Sequence, residues 1–205
     1  MSAFLGPIHY WLYNKIRLQQ EIVEELFILG KENGLSLEAE CKKLYGAFEK
    51  KPLEEMIDHN NIHGWLQERV SQVEYSYAYC VTKLLQADPG LMPKLKSIHK
   101  ASGRELALTM KDKNPDAAII FKAISDNLLD GMPCDHANRL LAQSEDEVLW
   151  QRSICVHSIY WDNTGGDVKN YYELRDAWLE GLTEELGFSL ERPDEISYCI
   201  KRKSA

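Results

Sequence analysis

Long uninterrupted hydrophobic runs are absent from this chain of 205 residues, and so are basic tracts with interleaved aromatic residues. No apolar stretch approaches the roughly 18 residues that span a bilayer, so we expect no transmembrane helix. The charge balance is acidic, with 24 Lys and Arg against 32 Asp and Glu and a net charge of −8. Because phosphate backbones and anionic lipid surfaces repel such a surface, we expect neither nucleic acid nor a membrane as a partner.

Glycine, proline and cysteine are also scarce, with 12, 7 and 5 copies. Together with 44% hydrophobic residues, this composition is typical of a folded globular chain rather than a disordered or collagen-like one. The cysteines are odd in number and form no C-x-x-C pair, which favours reduced thiols and a cytoplasmic location. Gly6-Pro7 interrupts the first apolar stretch and no cleavage site of small residues follows, so we expect no secretory signal.

Apolar residues at helical spacing dominate the chain up to residue 131. Five segments follow this spacing, at about 7–31, 36–48, 62–84, 92–110 and 118–128. Pro7 suits a first helical turn, and the apolar stripe from Ile62 to Leu84 is the strongest in the chain. We therefore predict a bundle of five or six helices over residues 1–131, joined by short loops.

A different pattern begins after Pro133. Residues 147–158 are rich in β-branched and aromatic side chains and predict a strand, although they also fit one helical face. Helical spacing returns at 167–186, and two alternating runs within 188–200 predict a β-hairpin. Strand, helix and hairpin predict a small antiparallel sheet, in a subdomain at 132–205 that packs on the bundle. The predicted fold class is thus α+β.

His59 and His63 are four residues apart, the spacing that places two imidazoles on one helical face. Two such imidazoles can share a divalent metal ion, and Glu55 offers a carboxylate on the same face. This hypothesis requires a helix that already includes His59. Asp58 and Asn61 are good cap residues, however, and a helix that begins near Asn61 leaves His59 in a loop.

Polar side chains recur on one face of each of the two longest predicted helices. Buried imidazoles, amides and carboxylates need hydrogen-bond partners, and a small-molecule ligand is one such partner. We therefore predict a ligand cleft between these helices. The residues predicted to line the cleft or close over it are His9, Tyr13, Trp65, Gln67, Glu74, His157 and Trp161. The alternative is that these groups satisfy one another or reach solvent.

Histidine is the predicted general base if the protein is an enzyme, because its pKa lies near neutral pH. His63 and His136 are the candidates for activating a water molecule. His136 also follows Cys134 by two residues, which suggests a cysteine nucleophile with a histidine base. An ordinary connecting loop is the alternative for this segment, and whether the protein is an enzyme stays open.

A second set of histidine spacings points to a different class of protein. His157 and Asp162 have the H-x-x-x-x-D spacing of the last helix of hemerythrin-like di-iron bundles, and His59 with His63 resembles their H-x-x-x-H element. His9 would be the ligand from the first helix, whereas the H-x-x-x-E element is missing. This resemblance implies a non-catalytic metal-binding or haem-binding bundle that senses or stores its ligand.

A second resemblance concerns residues 147–203. Five landmarks follow one another there: a strand ending at Cys155, then Trp161, a helix bearing Asp176, then Arg192, and a final strand with Cys199. In this order the segment resembles the C-terminal part of the L-2-amino-thiazoline-4-carboxylic acid hydrolase-like family. Where a cysteine is expected early in the helix, this chain has Tyr171 or Tyr172. The resemblance implies hydrolytic opening of a small C–N heterocycle.

Lys96, Lys100 and Arg104 repeat every four residues and give one predicted helix a basic face. Such a face attracts an anionic partner, or it is simply solvated.

These patterns predict a cytoplasmic protein that binds a small polar molecule. If it is an enzyme, we expect hydrolysis of a small C–N heterocycle or an amino-acid-derived compound. The metal- or haem-binding bundle is the alternative, with a divalent metal as the candidate cofactor. A structural protein whose histidines belong to the core is the third possibility.

Overall fold

The computed structural model of the protein describes residues 5–204, which form eight α-helices and four β-strands. The helices are α1 (Pro7–Glu32), α2 (Leu37–Tyr45), α3 (Leu53–Met56), α4 (Ile62–Ala87), α5 (Met92–Met110), α6 (Ala117–Asn127), α7 (Ser158–Thr164) and α8 (Val168–Glu185). The strands are β1 (Asn138–Gln143), β2 (Glu147–Arg152), β3 (Phe188–Glu191) and β4 (Ser197–Arg202). The predicted α+β class is confirmed, because helices precede a small antiparallel sheet.

The helices predicted before residue 131 are confirmed, with small shifts at their ends. In the described part of the chain six α-helices, α1 to α6, lie there, and the short α3 is the one without a predicted counterpart. Pro7 opens α1. Asn61 caps α4 by accepting a hydrogen bond from the Gly64 N–H at 3.1 Å. The start of α4 is therefore fixed by its cap residue.

The strand predicted over 147–158 is wrong beyond the end of β2, and α7 follows where no helix is predicted. Tyr160 and Trp161 of α7 are buried. The Tyr160 ring lies 4.8 Å from that of Tyr75 on α4, and the Trp161 ring lies 6.0 Å from that of Tyr77. These tertiary contacts stabilise a short helix, although the local composition is typical of a strand.

The sheet has the strand order β1-β2-β4-β3, and all its pairs are antiparallel. The predicted hairpin corresponds to β3 and β4. Trp150 of β2 pairs with Tyr198 of β4, and their rings stack with centroids 5.2 Å apart. β1 extends the sheet beyond the three predicted strands, and its pairing with β2 is interrupted by a bulge between Leu140 and Ala142.

The chain divides into two compact units, neither of which is a contiguous segment. Within the described residues, the first unit comprises 5–89, 127–134 and 157–168, and the second comprises 90–126, 135–156 and 169–204. This division differs from the predicted boundary at residue 131, because the chain returns to the first unit to form α7 before it completes the second.

α1 and α4, each 26 residues long, form the centre of the first unit. They run in the same direction, since His9 lies beside His63 and Tyr13 lies beside Trp65. Apolar side chains of both helices are almost completely buried, among them Leu12, Ile16, Val23, Leu66, Val70 and Val73. The strong apolar stripe of the sequence thus becomes the core of this unit.

α5 and α8 approach each other closely in the second unit. A Cβ atom at Gly103 of α5 would lie 2.0 Å from the Trp178 carbonyl oxygen, and one at Gly181 of α8 would lie 2.1 Å from the Lys100 carbonyl oxygen. Backbone atoms cannot move aside as a flexible side chain can. Glycine is therefore required at both positions.

The basic face predicted on α5 is covered by acidic side chains of α8. The ion pairs are Lys96 with Glu173 at 2.6 Å, Lys100 with Glu184 at 2.8 Å, and Arg104 with Glu185 at 3.0 Å. These groups neutralise one another at the surface of the second unit. The face therefore attracts an anionic partner only weakly.

None of the helices within residues 5–204 combines the length and the apolar composition needed to cross a bilayer. The prediction about a secretory signal depends in part on residues 1–4, which lie outside the described residues.

Candidate functional site

His9 and His63 meet where α1 and α4 begin. Nδ1 of His9 accepts a hydrogen bond from the Gly6 N–H at 2.9 Å, so the proton of the neutral ring is on Nε2. That Nε2–H donates to Nε2 of His63, with 3.4 Å between the two nitrogens. Burial and the neighbouring His63 ring lower the pKa of His9. Two of the predicted residues thus come together, with His9 as the hydrogen-bond donor.

His59 and His63 do not share a helical face, because α4 begins at Ile62. His59 is exposed in the turn that precedes the helix, as the alternative interpretation of the cap residues predicts. His9 does not take its place as a metal ligand, since its Nε2 carries a proton. In the described part of the chain no group of three or more His, Cys, Asp or Glu side chains is arranged to hold a metal ion. The predicted metal pair is therefore not formed.

A cleft of about 280 Å³ lies one turn further along α1, and two predicted ligand-binding residues, Tyr13 and Trp65, line it. Their ring centroids are 6.1 Å apart. The connection between α2 and α4 supplies the other wall, with Phe48, Glu49, Lys51, Glu55 and Met56. This connection crosses the seam between α1 and α4 and makes the cleft concave.

Arg69 completes the cleft from α4, one helical turn after Trp65. Its guanidinium carbon lies 5.4 Å from the centre of the Trp65 ring. Its Nε atom is buried and has no hydrogen-bond partner among the described residues. The Nη2 atom of Arg69 lies 3.7 Å from the carboxylate of the exposed Glu68, and such a surface ion pair is weak. The guanidinium therefore keeps N–H donors for an acceptor from a ligand.

The remaining polar groups of the cleft largely satisfy one another. Tyr13 donates its hydroxyl hydrogen to the Lys51 carbonyl oxygen at 3.1 Å, and burial raises the pKa of this hydroxyl. The Lys51 ammonium pairs with Glu49 at 2.7 Å, and this hydrogen bond lowers the pKa of the Glu49 carboxyl. Glu55 lies exposed at the edge of the same cleft. The cleft lining thus includes an arginine, Arg69, and the carboxylates of Glu49 and Glu55.

Glu74 and His157 form a buried cluster with Asp130 elsewhere in the first unit. Nδ1 of His157 lies 3.1 Å from the Glu74 carboxylate and Nε2 lies 3.6 Å from that of Asp130. Burial alone lowers the pKa of His157, but the two carboxylates outweigh burial and raise this pKa to about 9. His157 is therefore a charged imidazolium at neutral pH, which is unsuited to accept a proton as a general base.

The remaining predicted residues of the first unit lie apart from the cleft lining. Gln67 is exposed on α4, and its amide reaches Ser71 at 3.5 Å. Trp161 is completely buried, and its Nε1 has no hydrogen-bond partner within the described residues. Asp162, which the di-iron interpretation pairs with His157, is exposed on α7. These side chains support the fold or face solvent.

His136 lies in the second unit and is exposed, with a left-handed backbone at φ 49°. Cys134 is also exposed. The described lining of the cleft near Arg69 includes neither residue and no histidine. The geometry therefore gives no support to His63 or His136 as a general base acting in this cleft.

Several residues that carry the hydrolase-like resemblance have structural partners in the second unit. Asp176 pairs with Arg192, whose guanidinium carbon lies 4.0 Å from the centre of the Tyr198 ring. The Tyr172 hydroxyl donates to the Cys155 sulfur at 3.1 Å. These contacts connect α8 to the sheet and to the segment after β2.

Comparison with models of protein families, with curated proteins and with solved structures gave no match. The resemblance of residues 147–203 to the hydrolase-like family therefore stays a prediction. The candidate site rests on geometry alone, and its most informative residue, Arg69, was not predicted. One signal for it exists in the sequence, because Arg69 follows Trp65 by four residues and so shares its helical face.

Proposed function

We propose that this protein binds a small molecule carrying a carboxylate, in the cleft lined by Tyr13, Trp65 and Arg69. The observation that supports this proposal most directly is the Arg69 guanidinium in the cleft lining, whose Nε lacks an acceptor within the described residues and whose Nη2 lies 3.7 Å from the exposed Glu68. A guanidinium recognises a carboxylate through two parallel N–H···O hydrogen bonds. A ligand carboxylate therefore offers this guanidinium closer acceptors than the Glu68 side chain does.

The other walls favour a ligand of amino-acid type. Trp65 and Phe48 offer aromatic surface to an apolar or planar side chain. Glu55 lines the same cleft and suits an ammonium group of the ligand. A volume of about 280 Å³ is close to the lower limit for ligand pockets, so the ligand is comparable in size to an amino acid or a small heterocyclic acid.

The proposal concerns binding and assigns no reaction. Hydrolysis with an imidazole base lacks support here, because no histidine belongs to the described lining. A cytoplasmic location is part of the proposal, since all five cysteines are free thiols.

A thermal shift panel tests the proposal. Amino acids, N-acyl amino acids and small heterocyclic carboxylic acids are compared with their uncharged amides. An acid present at about 100 times its dissociation constant is expected to raise Tm by roughly 5–10 °C, whereas its amide has little effect. Arg69→Gln is expected to abolish the shift, and Arg69→Lys to reduce it because the planar fork is lost.

Lys83→Gln is the matched control. Lys83 is a cation on the same helix, also 5.4 Å from an aromatic ring, that of Tyr79, but it does not line the cleft. This variant is expected to keep the full ligand shift. The proposal is contradicted if no acid stabilises the wild-type protein, if amides stabilise it equally, or if Arg69→Gln retains the shift.

A further inference from the structure

A second cleft in the first unit, of about 880 Å³, lies among α1, α2 and α4. Its lining is mixed, with apolar side chains such as Phe27 and Leu37 beside the amides of Gln20 and Gln72. Cys41 of α2 also lines this cleft. The volume is within the range of small-molecule pockets, so a small molecule fits in the cleft whose lining includes Cys41.

Behind Cys41 lies a second thiol. The sulfur atoms of Cys41 and Cys80 are 3.6 Å apart, although the two residues are separated by 39 positions along the chain. Cys41 is 2% exposed and Cys80 is completely buried. A disulfide requires a sulfur separation of about 2.05 Å, so a movement of less than 2 Å brings the pair to bonding distance.

We propose that Cys41 and Cys80 form a dithiol site that reacts with a small disulfide entering the larger cleft, and that closes into a disulfide joining α2 to α4. The site does not rest on the proposed carboxylate cleft, because the two clefts share Phe48 but neither cysteine lines the smaller one. Its substrate class is a low-molecular-weight disulfide, R–S–S–R, which is the oxidant.

The exchange takes place in two steps. Cys41, as its thiolate, attacks one sulfur of R–S–S–R, and the other sulfur leaves with the bonding electron pair and takes up a proton as R–SH. The sulfur of Cys80 then loses its proton and attacks the Cys41 sulfur of the mixed disulfide, which expels the second R–SH. The two cysteines together lose two electrons and two protons, and the small disulfide gains them.

Burial determines the order of the two steps. Cys41 borders the cleft, whereas Cys80 has no exposed surface and reaches only a partner that is already attached to Cys41. Burial and the contact with Cys41 also raise the pKa of the Cys80 thiol, which disfavours its direct attack on an external disulfide. Cys41 is thus the attacking thiol and Cys80 the resolving thiol.

Oxidation with glutathione disulfide tests the site, in a Cys134→Ser background that removes the exposed thiol. Peptide mapping is expected to find a Cys41 to Cys80 crosslink and a mass reduced by two hydrogen atoms. The crosslink closes a long loop, so Tm is expected to rise by roughly 10 °C. After reduction with dithiothreitol, Tm is expected to fall back to the value of the reduced protein.

Two single variants give the expected order. Cys80→Ser is expected to accumulate a glutathione adduct on Cys41, whereas Cys41→Ser is expected to carry none on Cys80. Cys80→Ala provides a second version if serine disturbs packing, with far-UV circular dichroism to verify folding. The proposal is overturned if Cys41 and Cys80 stay reduced in the Cys134→Ser protein under conditions that fully modify Cys134 of the wild-type protein, or if the folded Cys80 variants carry no adduct on Cys41.

Discussion

In the first unit His157 is buried between two carboxylates, whereas in the second unit His99 is equally buried and bonds to a backbone carbonyl. The Glu74 and Asp130 side chains raise the pKa of His157 to about 9. His99 lies 2.7 Å from the Leu95 carbonyl oxygen, and burial lowers its pKa to about 4 despite this bond. The same side chain is therefore charged in one unit and neutral in the other. The comparison shows that the available partner, and not burial alone, decides the charge.

The ion pairs of the two units differ in how deeply they are buried. In the first unit the His157 and Glu74 side chains are 2% and 1% exposed. In the second unit Lys100 and Glu184 are 44% and 49% exposed. Buried charges have strong mutual interactions and large desolvation costs, whereas surface pairs are screened by water and salt. Three predictions test this contrast, from the largest expected effect to the smallest.

Glu74→Gln is expected to have the largest effect, because it leaves a buried imidazolium with one carboxylate fewer. The free energy of unfolding is expected to fall by about 3–5 kcal/mol at pH 7, measured by urea denaturation. In the wild-type protein the pKa of His157 is raised from 6.5 to about 9. Its contribution to the stability of the folded state is therefore complete below pH 6.5 and is lost as pH rises through about 9. The variant is expected to lose less stability over that alkaline range.

Glu68→Gln is the control for this prediction, because Glu68 is a carboxylate on the same helix that is 69% exposed and whose ion pair with Arg69, at 3.7 Å, lies at the surface. Its unfolding free energy is expected to change by less than about 0.5 kcal/mol. Equal stability of Glu74→Gln and Glu68→Gln would show that the buried cluster contributes nothing.

His99→Gln is expected to flatten the acid side of the stability profile. The folded pKa of His99, about 4, lies below its ordinary value of 6.5, so the unfolded chain binds protons first as pH falls. Wild-type stability is therefore expected to drop by about 2 kcal/mol between pH 7 and pH 5 through this residue, a loss that the variant lacks. His59→Gln, at an exposed histidine, is the control for the substitution itself and should change the unfolding free energy at pH 7 by less than about 0.5 kcal/mol. An NMR titration that places the pKa of His99 near 6.5 in the folded protein would disprove the assignment.

The smallest effect is expected for the surface pair of Lys100 and Glu184. A double-mutant cycle with Lys100→Met and Glu184→Gln is expected to give a coupling energy below about 1 kcal/mol. Because both groups are exposed, 1 M salt should reduce this coupling further. A coupling energy above about 2 kcal/mol that persists in high salt would contradict the expected difference between strong buried ion pairs in the first unit and weak exposed ion pairs in the second.

Local patterns were sufficient for most of the fold. The apolar stripe from Ile62 to Leu84 predicted α4, and the alternating runs within 188–200 predicted β3 and β4. β1 escaped prediction because five of its six residues are exposed, which leaves no alternation to recognise. α7 escaped because the contacts of Tyr160 and Trp161 with α4 stabilise it, and their partners lie far away in the sequence.

The candidate site was predictable only where one helix supplied the signal. Tyr13 and Trp65 could be chosen from the polar and aromatic faces of α1 and α4, and both line the smaller cleft. Glu74 and His157 are 83 positions apart along the chain, so no spacing rule predicts their ion pair. The same holds for the thiols of Cys41 and Cys80, which a helix packing contact brings together.

The bulge in β1 has a consequence for how the protein behaves at high concentration. β1 is an edge strand of the sheet, and it exposes Leu140 and Leu141. A regular edge strand with exposed apolar side chains favours pairing with a strand of another molecule. Since the bulge places an extra residue between Leu140 and Ala142, the outward row of amide and carbonyl groups loses its regular spacing. A strand from a second molecule then cannot extend the hydrogen-bond ladder in regular register. The bulge therefore disfavours edge-to-edge aggregation through β1.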